Sequence, residues 1–142
     1  MPNQKIEIYT DGSCIGNPGP GGWGAIVIID GKQHKVAGGE GDTTNNRMEM
    51  MAMIQALEFL HGKFPKEEIP KLKIELFSDS NLLIQSLNLG WKRKANLDLW
   101  SELDRVRAWL NITWTWVKAH ANNKLNNAVD EMALAEATKM KK

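Results

Sequence analysis

The chain holds a single cysteine, Cys14. That excludes an internal disulfide and any cysteine-based zinc site, and it fits a reducing compartment, so a cytoplasmic address is expected. Net charge is almost absent, at +1 from 18 basic and 17 acidic residues. No global field therefore advertises a polyanionic partner, and any attraction to phosphate must come from local clusters. Long apolar runs are missing too. Met1 to Tyr9 carries none and reads directly as a strand, so neither a signal peptide nor a membrane-spanning segment is expected. There is no low-complexity linker and there are no heptads, which leaves a monomer as the expectation. The 142 residues suffice for one domain with a real core, residues 1–142, and are too few for two ordinary ones.

What is present begins with Lys5 to Thr10, where β-branched and aromatic residues alternate with polar ones as in a half-buried strand. The alternation stops at Asp11-Gly12-Ser13, which predicts a carboxylate at a strand's carboxyl end, the edge where open α/β sheets bind ligands. Gly16 to Gly22 predicts a tight loop. Trp23 to Ile29 and Lys32 to Gly38, joined by Asp30-Gly31, predict a hairpin that completes an antiparallel meander. A loop over Gly38 to Thr44 then leads to a helix over Asn45 to Gly62, with Met53, Ile54, Leu57 and Leu60 at helical spacing and Thr44 or Asn45 as cap.

Leu72 to Ser78 predicts a fourth strand ending at Asp79, parallel to the first because a helix intervenes. A short helix over Ser80 to Leu87, a turn over Asn88 to Lys94 and a helix over Asn96 to Leu110 follow. Ile112 to Val117 alternates as a fifth strand, and a polar loop from Lys118 to Lys124 leads to a last helix over Asn126 to Met140. The sum is an α/β fold: a five-stranded mixed sheet, three strands antiparallel and then two parallel, flanked by helices.

Four carboxylates stand out. Asp11 and Asp79 both close strands, and if those strands are parallel neighbours their ends lie roughly 5 Å apart. Glu49 lies in the first turn of the long helix, four residues before Met53, and Asp130 lies three and four residues before Ala133 and Leu134 in an early turn of the last helix. Each alone is explained by the preference of acids for helix amino termini. Together they are not, because two carboxylates about 5 Å apart repel by about 3 kcal/mol at an effective dielectric of 20. Either some are protonated or cations lie between them. Oxygen donors with few histidines favour magnesium or manganese over zinc, and paired ions suit phosphoryl transfer. His120, in the loop ten positions before Asp130, is a candidate for proton handling or product release at the same edge. His34 and His61 read as surface residues.

These residues resemble the type 1 ribonuclease H family, ribonuclease HI, over nearly the whole chain. The likeness is carried by Tyr9-Thr10-Asp11-Gly12-Ser13-Cys14 with Gly16 to Gly24, by Thr43-Thr44-Asn45-Asn46-Arg47-Met48-Glu49, by Ser78-Asp79-Ser80, and by Trp116-Val117-Lys118-Ala119-His120-Ala121 followed by Asn126 and Asp130-Glu131. It implies an endonuclease that cuts the RNA strand of an RNA–DNA hybrid to 5′-phosphate and 3′-hydroxyl ends. Asp11, Glu49, Asp79 and Asp130 would hold two Mg2+ ions, with Mn2+ as a substitute. It also implies that Asn17, Asn45, Asn46 and Asn81 approach the minor groove and sugar edge, where the 2′-hydroxyl marks RNA, and that Thr44 and Asn96 hold a phosphate of the DNA strand. Cys14 would lie near the substrate as a tolerated small residue rather than a nucleophile.

The chain is a short form within that pattern. The basic helix and loop of many relatives is cut to Asn88 to Ala95, which leaves Trp91, Lys92, Arg93 and Lys94 to stack on and attract the DNA strand. Asp42 replaces a basic phosphate contact, Ala119 a glycine, and the loop Asn122 to Leu125 lacks a proline. Two other functions fit the same features: a noncatalytic hybrid-binding module, and a polynucleotidyl transferase of the integrase or transposase kind. Cleavage of hybrid, duplex RNA and duplex DNA with and without magnesium separates the three.

Overall fold

In the computed structural model, which describes residues 5–118 and 123–141, the first alternating stretch becomes strand β1, Lys5–Cys14. Ile6 and Ile8 point to one side of it and are fully buried, while Tyr9 belongs to a second cluster on the other side. Strand β2 is Gly19–Ile29 and β3 is Lys32–Thr43. The turn between them has positive φ at both Asp30 and Gly31, the backbone that lets a two-residue loop follow the strands' twist.

Both ends of this meander run further than the residue pattern indicates. β1 does not stop at Asp11, because Asp11 to Cys14 pair with Gly24 to Gly21. Likewise β3 continues past Gly38 to Thr43, and only residues 15–18 remain as the connection between β1 and β2. The glycines are read as turn formers in sequence, but here they serve close approach. Helix α1, Asn45–Lys63, crosses β1 so tightly that a Cβ on Gly12 would collide with the backbone of Glu49 and Met48. A Cβ on Gly22 would likewise strike the Ala133 carbonyl and Ala137 nitrogen of helix α4, Lys124–Met140.

Strand β4, Lys73–Ser78, pairs parallel with β1 from Lys5↔Lys73 to Tyr9↔Phe77, and β5, Asn111–Trp116, pairs parallel with β4. The sheet order is β3-β2-β1-β4-β5, with the first three strands antiparallel to their neighbours in the meander. Helix α2 is Asn81–Leu89, capped by Ser80 onto the Leu83 amide. Helix α3, Leu97–Arg107, ends before Leu110 because Ala108 leaves helical geometry and Trp109 takes a left-handed φ of 71°. Asn123 caps α4 through the Asn126 amide, so that helix starts at Lys124 rather than Asn126.

One face of the sheet is covered by α1, α2 and α3. Met50, Met53, Leu57 and Leu60 of α1 pack there with Leu83, Ile84, Leu99, Leu103 and Trp114. Each such side chain is worth about 1.5 to 3 kcal/mol on burial, so tertiary packing rather than intrinsic propensity holds α1 helical. The other face is covered by α4 through the small buried residues Ala133 and Ala137. Leu134, expected to share that face, is about half exposed instead, since Gly22 and Gly24 draw the alanine row onto β2. The two histidines read as surface residues both have partners: His34 tilts against Phe59, and His61 Nε2 meets the Val106 carbonyl at 2.7 Å. Among the described residues, no helix is long and apolar enough to cross a membrane.

Candidate active site

The parallel pairing of β1 with β4 ends at Tyr9↔Phe77, and beyond it the two chains part. β1 continues along β2 carrying Asp11, whereas β4 ends at Ser78 and Asp79 leads into the cap of α2. Their carboxylates therefore meet at the fork. Glu49, the fifth residue of α1, joins them because Gly12 lets the helix backbone touch β1 beside Asp11. Carboxylate oxygens of Asp11, Glu49 and Asp79 all lie within 4.8 Å of one another. Asp130 comes from the opposite face, on α4, and stands outside this close set while still acting on Asp11 through its charge.

Burial and crowding shape the electrostatics. Asp11 is only 4% exposed. Its carboxyl is pushed up to about 8, first by burial and then by Asp79, with Asp130 and Glu49 adding and the Gly12 amide, 2.8 Å from Oδ1, opposing. Glu49 is raised to about 7, mainly by burial, with Asp79 contributing and a hydrogen bond from Ser80 acting against it. Of the two ways to relieve such a cluster, protonation is the one available without a cation. The donor set is oxygen only, with no nitrogen or sulfur among its described members, and it fits a hard divalent ion. Main-chain contacts hold the frame: the Trp116 indole donates to the Asp79 carbonyl at 3.2 Å, and the Val117 amide to the Ser78 carbonyl at 2.9 Å.

The expected substrate residues fall into three groups. At the amino end of α1, Thr44 caps the helix by accepting from the Arg47 amide, and the Asn45 amide donates to Asn17 Oδ1 at 3.0 Å. This joins the 15–18 connection to the helix, while Asn46 is exposed beside them. Cys14 lies behind, its thiol directed at the Gly19 and Thr43 carbonyls, a satisfied small residue outside the acidic set. Asn81 opens α2 next to Asp79, exposed and accepting from Gln85. Asn96 precedes α3 but does not cap it through its side chain, contrary to the simplest expectation for that residue type. Instead its Oδ1 accepts from Arg47.

The third group is the basic turn. Trp91, Lys92 and Lys94 are exposed, so Trp91 does not close the core. Arg93 departs from its expected role. Its guanidinium pairs with Asp104 and sits 4.1 Å over the Trp100 ring, which turns it inward and commits its charge to the protein. His120 lies outside the described residues. Arg47, Ser80 and Trp116 lie inside the quoted motifs, but their contacts to Asn96, to the Leu83 amide and to the Asp79 carbonyl emerge only in the fold. The signal for Arg47 is a cation three residues after the Thr44 cap and directly behind two asparagines.

Comparison with known proteins agrees with this geometry. The family model described as RNase H matches residues 3–138. The chain is 41% identical over 148 residues to a ribonuclease H of Ehrlichia canis, covering 95% of this chain and 96% of that protein. It is 44% identical over 142 residues to the ribonuclease HI of Caulobacter vibrioides, with 91% and 90% covered. Among solved structures it resembles LC11-RNase H1 in complex with RNA/DNA hybrid, with a TM-score of 0.78, 26% identity, and 94% and 97% of the two chains covered.

Proposed function

The chain belongs to the ribonuclease H family, and from that premise we propose that it cleaves the RNA strand of RNA–DNA hybrids endonucleolytically, leaving 5′-phosphate and 3′-hydroxyl ends. The observation that carries the reading is the set of three carboxylates within 4.8 Å, two of them raised to about 7 and 8 by burial and mutual repulsion. Such a set is costly to keep without a cation and suited to one. Asp11, Glu49 and Asp79, with Asp130 beside them, would hold a pair of Mg2+ or Mn2+ ions. When bound, these supply Lewis acidity for the scissile phosphate and lower the pKa of an attacking water.

The chain's own residues do the rest. Asp11 and Glu49 give up protons when a cation arrives, so occupancy rises with pH through the range of their raised pKa values. Burial of Asp11 keeps bulk water from screening the site. The amide side chains of Asn17, Asn45, Asn46 and Asn81 supply neutral donors and acceptors for the minor groove, the surface on which a 2′-hydroxyl can be told from hydrogen. Thr44 and Asn96 supply donors for a phosphate of the DNA strand, and Trp91, Lys92 and Lys94 an exposed stacking and charge patch beyond it. The protein acts, on this reading, as a cytoplasmic monomer.

The test uses labelled RNA–DNA hybrid, duplex RNA and duplex DNA, each with Mg2+, Mn2+ or EDTA. Internal cuts in the RNA of the hybrid alone, dependent on metal and yielding 5′-phosphate ends, are expected. Tight hybrid binding without cleavage in either metal would leave a binding module, and strand joining on duplex DNA would point to a transferase.

A further inference from the structure

We propose that Arg47 and Asp98 are positioning residues that aim the Asn96 side-chain amide outward at a phosphate of the uncleaved strand. The inference rests on the reading of Thr44 and Asn96 as a phosphate subsite and adds how that subsite is built. Asn96 is held in the left-handed region, at φ 57° and ψ 38°, a conformation asparagine tolerates but does not prefer. It makes no side-chain cap bond, so the amide does nothing for α3. What holds it is Arg47, whose Nη1 donates to Asn96 Oδ1 at 3.2 Å.

A guanidinium can only donate, so the atom facing it must be the amide oxygen. The amide nitrogen is thereby turned away, and among the described residues it has no hydrogen-bond partner. Arg47 is itself immobilised. Nη1 and Nη2 donate to the two oxygens of Asp98 at 3.0 and 2.8 Å, a paired geometry that fixes the guanidinium plane. Arg47 holds Asp98 down to about 2, so the clamp stays ionised at any pH at which the enzyme would work. The Arg47 backbone amide meanwhile donates to Thr44 Oγ1, which leaves the Thr44 hydroxyl proton free to be donated. One residue thus orients both members of the subsite, one through its main chain and one through its side chain.

The clamp also explains why a cation near a phosphate subsite would not grip the phosphate itself. Asp98 neutralises it, and what faces the substrate is a pair of neutral donors. Binding there should depend on geometry more than on salt, unlike a direct arginine–phosphate contact, which contributes about 0.9 to the slope of log affinity against log salt.

The experiment measures kcat and KM on hybrid at two salt concentrations for Asn96→Ala, Arg47→Met, Asp98→Asn and the Arg47→Met/Asn96→Ala double variant, with Tm for each. Asn96→Ala should raise KM about tenfold, the scale of a lost hydrogen bond to a charged group. Arg47→Met should raise it nearly as much without flattening the salt slope, Asp98→Asn should raise it less, and the double variant should be no worse than Asn96→Ala. If Asn96→Ala leaves KM unchanged, the phosphate subsite itself is wrong and the clamp falls with it. If Asn96→Ala matters while Arg47→Met lowers only Tm, the pair is merely a brace between α1 and α3. Additive effects in the double variant, or tighter binding with a steeper salt slope in Asp98→Asn, would show Arg47 contacting phosphate directly and would also overturn the proposal.

Discussion

Replacing Asp11 by Asn should make the metal-free protein more stable, and increasingly so as pH rises. The carboxyl's pKa moves from 3.8 to about 8 on folding. Between those values the unfolded chain has released a proton that the folded chain retains, so raising the pH favours unfolding. Well below pH 3.8 neither state is charged and the acid costs nothing; well above pH 8 both are, and the cost is complete. At ~1.36 kcal/mol per unit the shift sets a ceiling of ~6 kcal/mol. Part of it is repulsion from Asp79, which relaxes as water enters between the acids, so a gain of about 2 to 3 kcal/mol for Asp11→Asn at pH 8.5 is expected. Asparagine keeps the shape and can still accept from the Gly12 amide. Urea unfolding in EDTA at intervals from pH 4.5 to 8.5 reads this directly, as does a Tm rise of roughly 5 to 10 °C at the upper end. Excess Mg2+ should close the gap by stabilising only the parent protein, and hybrid cleavage by the variant should be nearly abolished. A stability difference independent of pH, or a variant less stable than the parent at pH 8.5 in EDTA, would refute the account of the site as a strained anionic cluster.

Gly12→Ala should lower stability by about 2 to 3 kcal/mol and remove activity together, because its Cβ collides with the backbone that carries Glu49; urea unfolding and hybrid cleavage check it. Lys92→Ala with Lys94→Ala should raise KM at moderate salt and flatten its salt dependence, whereas Arg93→Ala should lower Tm by loosening Asp104 and Trp100. Steady-state kinetics against ionic strength, with melting curves, separate the two. His120→Ala should reduce turnover by about a hundred to ten thousand fold, the worth of one proton-transfer group, and less completely than Asp11→Asn. Turnover measured on saturating hybrid distinguishes them.

Sequence by itself determined the strands that alternate and the helices that repeat at 3.6 residues, since each is a local pattern that burial on one face imposes, and it named Asp11, Glu49 and Asp79, which the structure gathers, together with Asp130, which it leaves outside the close set. It also determined the Thr44 cap and the Asp30-Gly31 turn, because caps and two-residue turns are chemistry between near neighbours. Tertiary structure decided the rest. The glycine run carries no side-chain period, so nothing local tells a loop from strands made bare for helices α1 and α4 to approach, and Asp11 lay in mid-strand unseen. Arg93 and Asp104 are 11 residues apart and Arg47 and Asp98 are 51, so which basic residues remain free for phosphate could not be read from composition. The raised carboxyls of Asp11 and Glu49 had the same origin: their identity is local, but the burial and the neighbouring charges that shift them exist only once a sheet and two helices have met.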